Sequence, residues 1–198
     1  MSDLEELLIP DIASWRLWLD GHHGQHRGVW LVLHKKGGKV TTLTYAQALE
    51  EALCYGWIDG QLARRDNESY RQRFTPRRPK SAWSRRNVEL VTRLSEEGRM
   101  QPAGIASVER AKAEGSWDRA YEGQSKSEIP RDLSDALNSN PAAHTTFHQM
   151  DAANRYAIIY RLNAVKRPDT RVRKLADYID MLARGEVLHP RRTSKTQE

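Results

Sequence analysis

Cysteine and long apolar runs are scarce in this chain of 198 residues. Its single cysteine, Cys54, excludes an internal disulfide and favours a reducing compartment. No stretch approaches the roughly eighteen consecutive apolar residues that a membrane-spanning helix requires. The acidic start, Met1–Glu6, lacks the basic region and apolar segment of a secretory signal. We therefore expect a cytoplasmic protein without a transmembrane segment.

The common catalytic and metal-binding signatures are missing as well. The chain has no phosphate-binding glycine loop, dinucleotide fingerprint or Ser-His-Asp arrangement. His22, His23 and His26 share a glycine-containing loop, and His144 and His148 stand four residues apart. A spacing of four on a helix suits a shared zinc ion, but no cysteine or clustered carboxylate completes either group. We expect no metal and no cofactor, and the sequence favours a binding protein over an enzyme.

The composition indicates a folded protein with a modest positive charge. Hydrophobic residues make up 38% of the chain and charged residues 29%, and the formal net charge is +6. This is apolar enough for a core, which excludes wholesale disorder. The charge is uneven: residues 61–100 hold eleven basic and five acidic groups, and residues 161–198 hold ten and five. Two basic blocks therefore stand in a mildly acidic background.

Hydrophobic periodicity predicts an α+β fold, in which a small antiparallel sheet of about three strands with packed helices precedes a helical C-terminal half. Strands are predicted at residues 28–34, 57–63 and 70–75. Helices are predicted at residues 12–20, 44–55, 84–98, 102–115, 131–138, 141–149, 152–165 and 168–185, with Thr44, Ser84 and Asp151 as N-caps. We expect an α+β domain at 1–121, a linker at 122–130, a helical region at 131–190 and a disordered tail at 191–198.

The second and third strands form a hairpin with one oily and one polar face, if their polar residues share a side. The polar face would then combine Trp57, Asp59 and Gln61 with Arg71, Arg73, Thr75 and Arg77. In that arrangement Asp59 lies near Arg73 and orients it. Asp59 itself is either a structural partner of an arginine or a general base.

The segment Arg73–Asn87 is the strongest candidate for ligand binding. Two prolines hold it in an extended path, and it leads into a helix whose first N–H groups favour anions. We expect an anion-accepting pocket held by Arg73, Arg77 and Ser84 and walled by two tryptophans. The candidate ligand-binding set is Trp57, Asp59, Arg73, Thr75, Arg77, Ser81, Trp83, Ser84 and Asn87. The structural alternative is that Ser84 only caps, Trp83 packs in the core and Arg73 pairs with Asp59.

The second basic block contains Lys166, Arg171 and Arg173 around a junction between two helices. A charge run of this kind is commonly a solvated face. The alternative is that these three residues form a patch that binds an acidic partner.

Several of these runs are similar to a known family. The segments at 51–60, 73–78, 81–87, 98–104, 154–156 and 164–171 resemble the bacterial YdeI/OmpD-associated (OmdA-like, bacteriocin-protection) family, over roughly residues 12–190. The resemblance implies a stress or envelope-protection role, linked to tolerance of cationic antimicrobial peptides. It implies no catalytic set.

The leading hypothesis is an accessory protein that binds an anionic small molecule or an acidic partner. An enzyme acting on a phosphorylated or carboxylated small molecule, with Asp59 as base, is the first alternative. Nucleic-acid binding by the two basic blocks is a second, disfavoured by the acidic background and the absence of a nucleic-acid motif. Association through the helical half is a third, and the oligomeric state stays open.

Overall fold

The structure, a computed structural model, describes residues 4–123 and 127–189. The chain divides into two compact units, Met1–Tyr121 and Glu122–Glu198. The predicted tail at 191–198 and residues 124–126 of the predicted linker lie outside the described residues. Within the described parts, no helix is both long enough and apolar enough to cross a membrane.

The first unit contains a sheet and four helices. In chain order its elements are β1 (Glu6–Leu7), α1 (Ile12–His22), β2 (Val29–His34), α2 (Tyr45–Cys54), β3 (Trp57–Arg64), β4 (Ser69–Pro76), α3 (Arg85–Glu96) and α4 (Pro102–Ala113). The second unit is helical, with α5 (Arg131–Asn138), α6 (Pro141–Gln149), α7 (Ala152–Asn163) and α8 (Pro168–Ala183). The predicted α+β class and helical C-terminal half are confirmed.

The sheet has four strands in the order β1-β2-β4-β3, one more than predicted. The additional strand, β1, pairs in parallel with β2 and places Glu6 opposite Trp30. A two-residue strand shows no period in the sequence, so only its pairing with β2 reveals it. The remaining pairs, β2 with β4 and β4 with β3, are antiparallel.

Helix ends follow the signals in the sequence. Thr44 and Gln47 form the predicted capping box of α2, and the hydroxyl of Ser84 accepts from the N–H of Asn87 at the start of α3. Asp151 likewise accepts from the N–H of Asn154 and caps α7. These interactions satisfy N–H groups that the first turn of a helix leaves unpaired, which is why short polar residues stand there.

One face of the sheet packs against α1 and α2 to form the core of the first unit. Leu31, Leu33 and Phe74 are fully buried there, and Trp15 of α1 lies 5.8 Å from Phe74, centroid to centroid. Cys54 is also fully buried, as expected for a small core residue, and burial raises the pKa of its thiol to about 11. The cysteine therefore remains a neutral thiol.

The register of β3 with β4 contradicts the predicted polar face. Trp57 lies opposite Pro76, Ile58 opposite Thr75 and Asp59 opposite Phe74. Because residues directly opposite each other share a face, Trp57 and Asp59 lie on the core side with Phe74. Arg73 and Thr75 alternate with Phe74 and lie on the other side. Trp57 and Asp59 are therefore on the face opposite Arg73 and Thr75, and the predicted polar face shared by these four residues is wrong.

Candidate functional site

The chain leaves the sheet at Pro76 and makes a turn before α3. The N–H of Arg77 donates to the carbonyl of Gly56 at 2.9 Å, which anchors the start of this segment beside the end of α2. A turn follows in which the N–H of Ser81 donates to the carbonyl of Arg78. Lys80 has a φ of +61°, a conformation that is costly for a residue with a side chain. The segment is therefore held by specific contacts.

Arg77 is buried inside this turn, with only 8% of its surface exposed. Its guanidinium lies 3.8 Å from the ring centroid of Trp83, and Nη1 donates to the carbonyl of Ala82 at 3.0 Å. Nη2 is buried and has no hydrogen-bond partner among the described residues. Burial lowers the pKa of Arg77 to about 10, while the nearby Tyr121 and Asp59 oppose this shift. Arg77 is thus a buried cation that is still charged at neutral pH and only partly compensated.

A small cleft, here called the Arg77 cleft, opens beside this residue between the turn and α4. The cleft has a volume of about 10 Å³, which accommodates about one water-sized group. Of the described residues that line it, four are cationic and one is acidic. The lining residues are Arg77, Arg78, Pro79, Lys80, Ser81, Trp83, Ser107, Arg110, Ala111, Glu114 and Ser116. A cationic lining with three hydroxyls suits the oxygens of an anion.

Asp59 faces Tyr45, and this contradicts the expectation that it orients Arg73. The hydroxyl of Tyr45 donates to Oδ2 of Asp59 at 2.8 Å. Burial, followed by this hydrogen bond, raises the pKa of Tyr45. The guanidinium of Arg86 lies 5.9 Å from the centroid of the Tyr45 ring. Asp59 therefore belongs to a polar group near Arg77, on the side of the sheet away from Arg73.

Trp57, Arg73 and Thr75 lie apart from the Arg77 cleft. Trp57 is 1% exposed, and its Nε1 donates to the carbonyl of His23, so it is a core residue and not a pocket wall. Arg73 lies opposite Trp30 of β2 on the outer face of the sheet, which Thr75 shares. The structure thus brings three predicted residues to the cleft, Arg77, Ser81 and Trp83, and leaves these others outside it.

Trp83 and Ser84 have the structural roles that the sequence offered as an alternative, and Asn87 has a structural role that the sequence did not indicate. Trp83 is 3% exposed, with Arg77 against its ring and Trp117 at 4.9 Å, so it offers no free stacking surface. Ser84 caps α3 by accepting from Asn87, and Asn87 is buried. Neither Ser84 nor Asn87 lines the cleft.

Two protein-family models together match most of the chain. A family model described as "Domain of unknown function (DUF8412)" matches residues 7–107, just over half of the chain. The chain belongs to this family. A second model, described as "Bacteriocin-protection, YdeI or OmpD-Associated" and named OmdA, matches residues 126–185. Searches of curated proteins and of solved structures return no match.

The predicted resemblance to the OmdA family is confirmed for the C-terminal part of the chain. The OmdA match covers most of the second unit, from residue 126 to residue 185. The runs at 51–60, 73–78 and 81–87 lie instead within the DUF8412 match. Most of the Arg77 cleft therefore belongs to the DUF8412 domain, whose match ends within α4 at Ser107.

Sequence reasoning missed the contribution of α4 to the cleft. Ser107, Arg110 and Glu114 recur at spacings of three and four, which places Ser107 and Arg110 on one side of α4 and Glu114 on the same side just after its end. That polar stripe is visible in the sequence, but nothing in it indicates that the stripe faces the turn at 77–81. Lys80 was missed because its role depends on the turn itself.

In the second unit, the predicted partner patch is divided. The guanidinium of Arg171 pairs with Asp132 through Nε at 2.6 Å and Nη2 at 2.9 Å, and Nη1 donates to the carbonyl of Leu162. Arg171 therefore holds α5 to α8. Lys166 and Arg173 are exposed.

In the part of the chain that the structure describes, the histidines form no larger group with other potential metal ligands. Nδ1 of His22 and of His23 each contacts a main-chain carbonyl of α1, at 2.8 and 2.9 Å. Over residues 4–123 and 127–189, no three His, Cys, Asp or Glu side chains come together as a metal site would require.

Proposed function

We propose that this protein is a bacteriocin-protection-like accessory protein of the bacterial stress response that binds an anionic small molecule in the Arg77 cleft. The OmdA match over residues 126–185 supports the accessory role. The proposal of an anionic ligand rests on Arg77, a buried cation with one nitrogen that lacks a hydrogen-bond partner among the described residues. Arg77 lies at a cleft that is lined by four cationic residues. We further propose that the protein acts in the cytoplasm.

The size of the cleft limits what enters it. A volume of about 10 Å³ admits about one oxygen of a phosphate, sulfate or carboxylate group. The rest of the ligand stays outside, where Arg78 and Lys80 are exposed. Because Trp83 is covered by Arg77 and Trp117, the proposal requires no aromatic ring in the ligand.

The binding test measures thermal stability in inorganic phosphate at constant ionic strength. A ligand that binds only the folded state stabilises it by about 1.4 kcal/mol at ten times its Kd. We expect this stabilisation in the wild type and its loss in Arg77→Met. That variant should fold, because an apolar side chain of similar length replaces a buried and incompletely paired cation at little or no cost.

A second variant and a control make the test independent of any single substitution. Lys80→Ala with Arg110→Ala removes two charges from the cleft and should also abolish the phosphate effect. Lys36→Ala with Lys39→Ala removes two exposed charges from the turn after β2 and should leave it intact. Equal stabilisation in the wild type and in both cleft variants would overturn the assignment.

The accessory role has its own test in cells. Expression of the wild type in a bacteriocin-sensitive bacterium should raise survival under bacteriocin challenge, and the Lys80→Ala, Arg110→Ala variant should not. Fractionation of the same cells tests the proposed cytoplasmic location. Equal survival with and without the wild-type protein would contradict the role.

A further inference from the structure

Glu114 places a carboxylate in a cleft that is otherwise cationic. It follows the last residue of α4, and its Oε2 accepts from the main-chain N–H of Lys80 at 2.9 Å. The end of a helix carries partial negative charge, which disfavours an acidic side chain there. The cations of the cleft and the N–H of Lys80 offset this cost. The surroundings of Glu114 therefore favour a negatively charged group at this position.

The N–H of Lys80 is the kind of donor that an oxyanion ligand would use. The left-handed conformation of Lys80 turns this N–H toward α4, where Glu114 occupies it. Main-chain N–H groups in such turns bind the oxygens of phosphate and carboxylate groups. A ligand oxygen and the Glu114 carboxylate would compete for the same donor and the same positive field.

We infer that Glu114 is an internal competitor that holds the ligand's place and weakens anion binding in the Arg77 cleft. The inference rests on the proposed function. On binding, the ligand oxyanion takes the N–H of Lys80, and the Glu114 side chain, which is exposed, moves into solvent. Glu114 thereby sets how strongly the cleft discriminates between anions of different charge.

Titration calorimetry with inorganic phosphate tests the inference on the full chain. Removing one negative charge at roughly 5 Å from the ligand should raise affinity at least about fourfold, the value for two unit charges at the dielectric constant of water, and more at the lower effective dielectric constant near a protein surface. We expect this gain in Glu114→Gln, and at least as large a gain in Glu114→Ala, which also frees the N–H of Lys80. Circular dichroism verifies that both variants are folded.

Glu109→Gln is the matched control. Glu109 lies on the same helix, pairs with Lys112 at 3.1 Å and does not line the cleft, so its removal should change affinity less than twofold. Phosphate binding no tighter in either Glu114 variant than in Glu109→Gln would overturn the inference and leave the proposed function standing. Weaker binding in Glu114→Ala would do the same, since it would mean that Glu114 supports the turn. If phosphate binds to none of these proteins, the proposed function and the inference both fail.

Discussion

At the scale of single residues, Glu51 shows how a charge is accommodated in an apolar setting. It stands in α2 between core residues and is only 2% exposed. Its two carboxylate oxygens accept from Nε of Arg16 at 2.7 Å and from Nη2 of Arg99 at 2.7 Å. These partners come from 35 and 48 residues away. The helical pattern therefore predicts α2 but not the burial of its glutamate.

Glu51→Ala should destabilise the protein by about 2 kcal/mol, measured as the free energy of unfolding in urea. The loss of stability is large because two arginines lose the acceptor that neutralises them. It is smaller than for a fully buried pair because both arginines can reach water. Glu97→Ala is the control, since Glu97 pairs with Arg93 and Arg99 at the surface, where solvent screens the charges, and its loss should destabilise the protein much less. Equal losses in the two variants would contradict the role of burial.

Among the secondary-structure elements, the hairpin of β3 and β4 shows the limit of what alternating polar and apolar residues can predict. The alternation predicts both strands and sorts each strand's residues onto two faces. It does not say which face of one strand joins which face of the other, because that depends on register. Pairing Asp59 with Phe74 sent Asp59 and Arg73 to opposite sides, and a bulge between Asp59 and Leu62 shifts the pairing farther along β3.

The contact between α5 and α8 gives a pH-dependent prediction. The hydrogen bonds from Arg171 lower the pKa of Asp132, so the folded state favours the ionised carboxylate. The stabilisation is therefore present above the unfolded pKa of about 4 and is lost as pH falls through the lower folded pKa. Asp132→Asn should cost about 1 kcal/mol at pH 7, a value kept small because both side chains are partly exposed.

Thermal unfolding of the wild type and Asp132→Asn across pH tests this expectation. The difference in Tm should shrink as the pH falls below about 4. Asp135→Asn serves as control, because Asp135 faces Arg131 at 3.8 Å with both side chains exposed, and it should have little effect at any pH. A difference for Asp132→Asn that does not vary with pH would contradict the role of its charge.

For the molecule as a whole, the described residues form two hydrophobic cores. One is built from residues of the first unit, including Trp15, Leu31 and Phe74, and the other from residues of the second, including Phe147 and Leu182. Each core draws its buried residues from its own unit. We therefore propose that the predicted domain at 1–121 and the helical region at 131–190 are independent folding units.

Residues 1–121 expressed alone should fold and unfold cooperatively, because about 120 residues bury enough apolar surface to support one core. The fragment contains every described residue that lines the Arg77 cleft, so phosphate should stabilise it as it stabilises the full chain. Circular dichroism and calorimetric melting are the measurements. A fragment without a cooperative transition would show that the first unit depends on the second.

Features that depend on residues close together in the chain can be predicted from the amino-acid sequence. Helices, strands and caps follow from periodicity and from short-range hydrogen bonds, as Thr44, Ser84 and Asp151 illustrate. The resemblance to the OmdA family rests on local motifs in the same way. The prediction that the basic segment Arg73–Asn87 binds a ligand also rests on local sequence. Arg77 is a candidate ligand-binding residue in that segment because an arginine next to a proline can be identified from the sequence without knowledge of the fold.

Which of these residues come into contact depends on how the chain packs. Arg77 is buried because Trp83 folds back over it, and the cleft is completed much later in the chain by Arg110 of α4 and by Glu114, which follows α4. Strand register removed Trp57 and Arg73 from the same site. Contacts of this kind depend on packing across long separations, and a linear pattern carries no information on which of two possible faces a neighbour will cover.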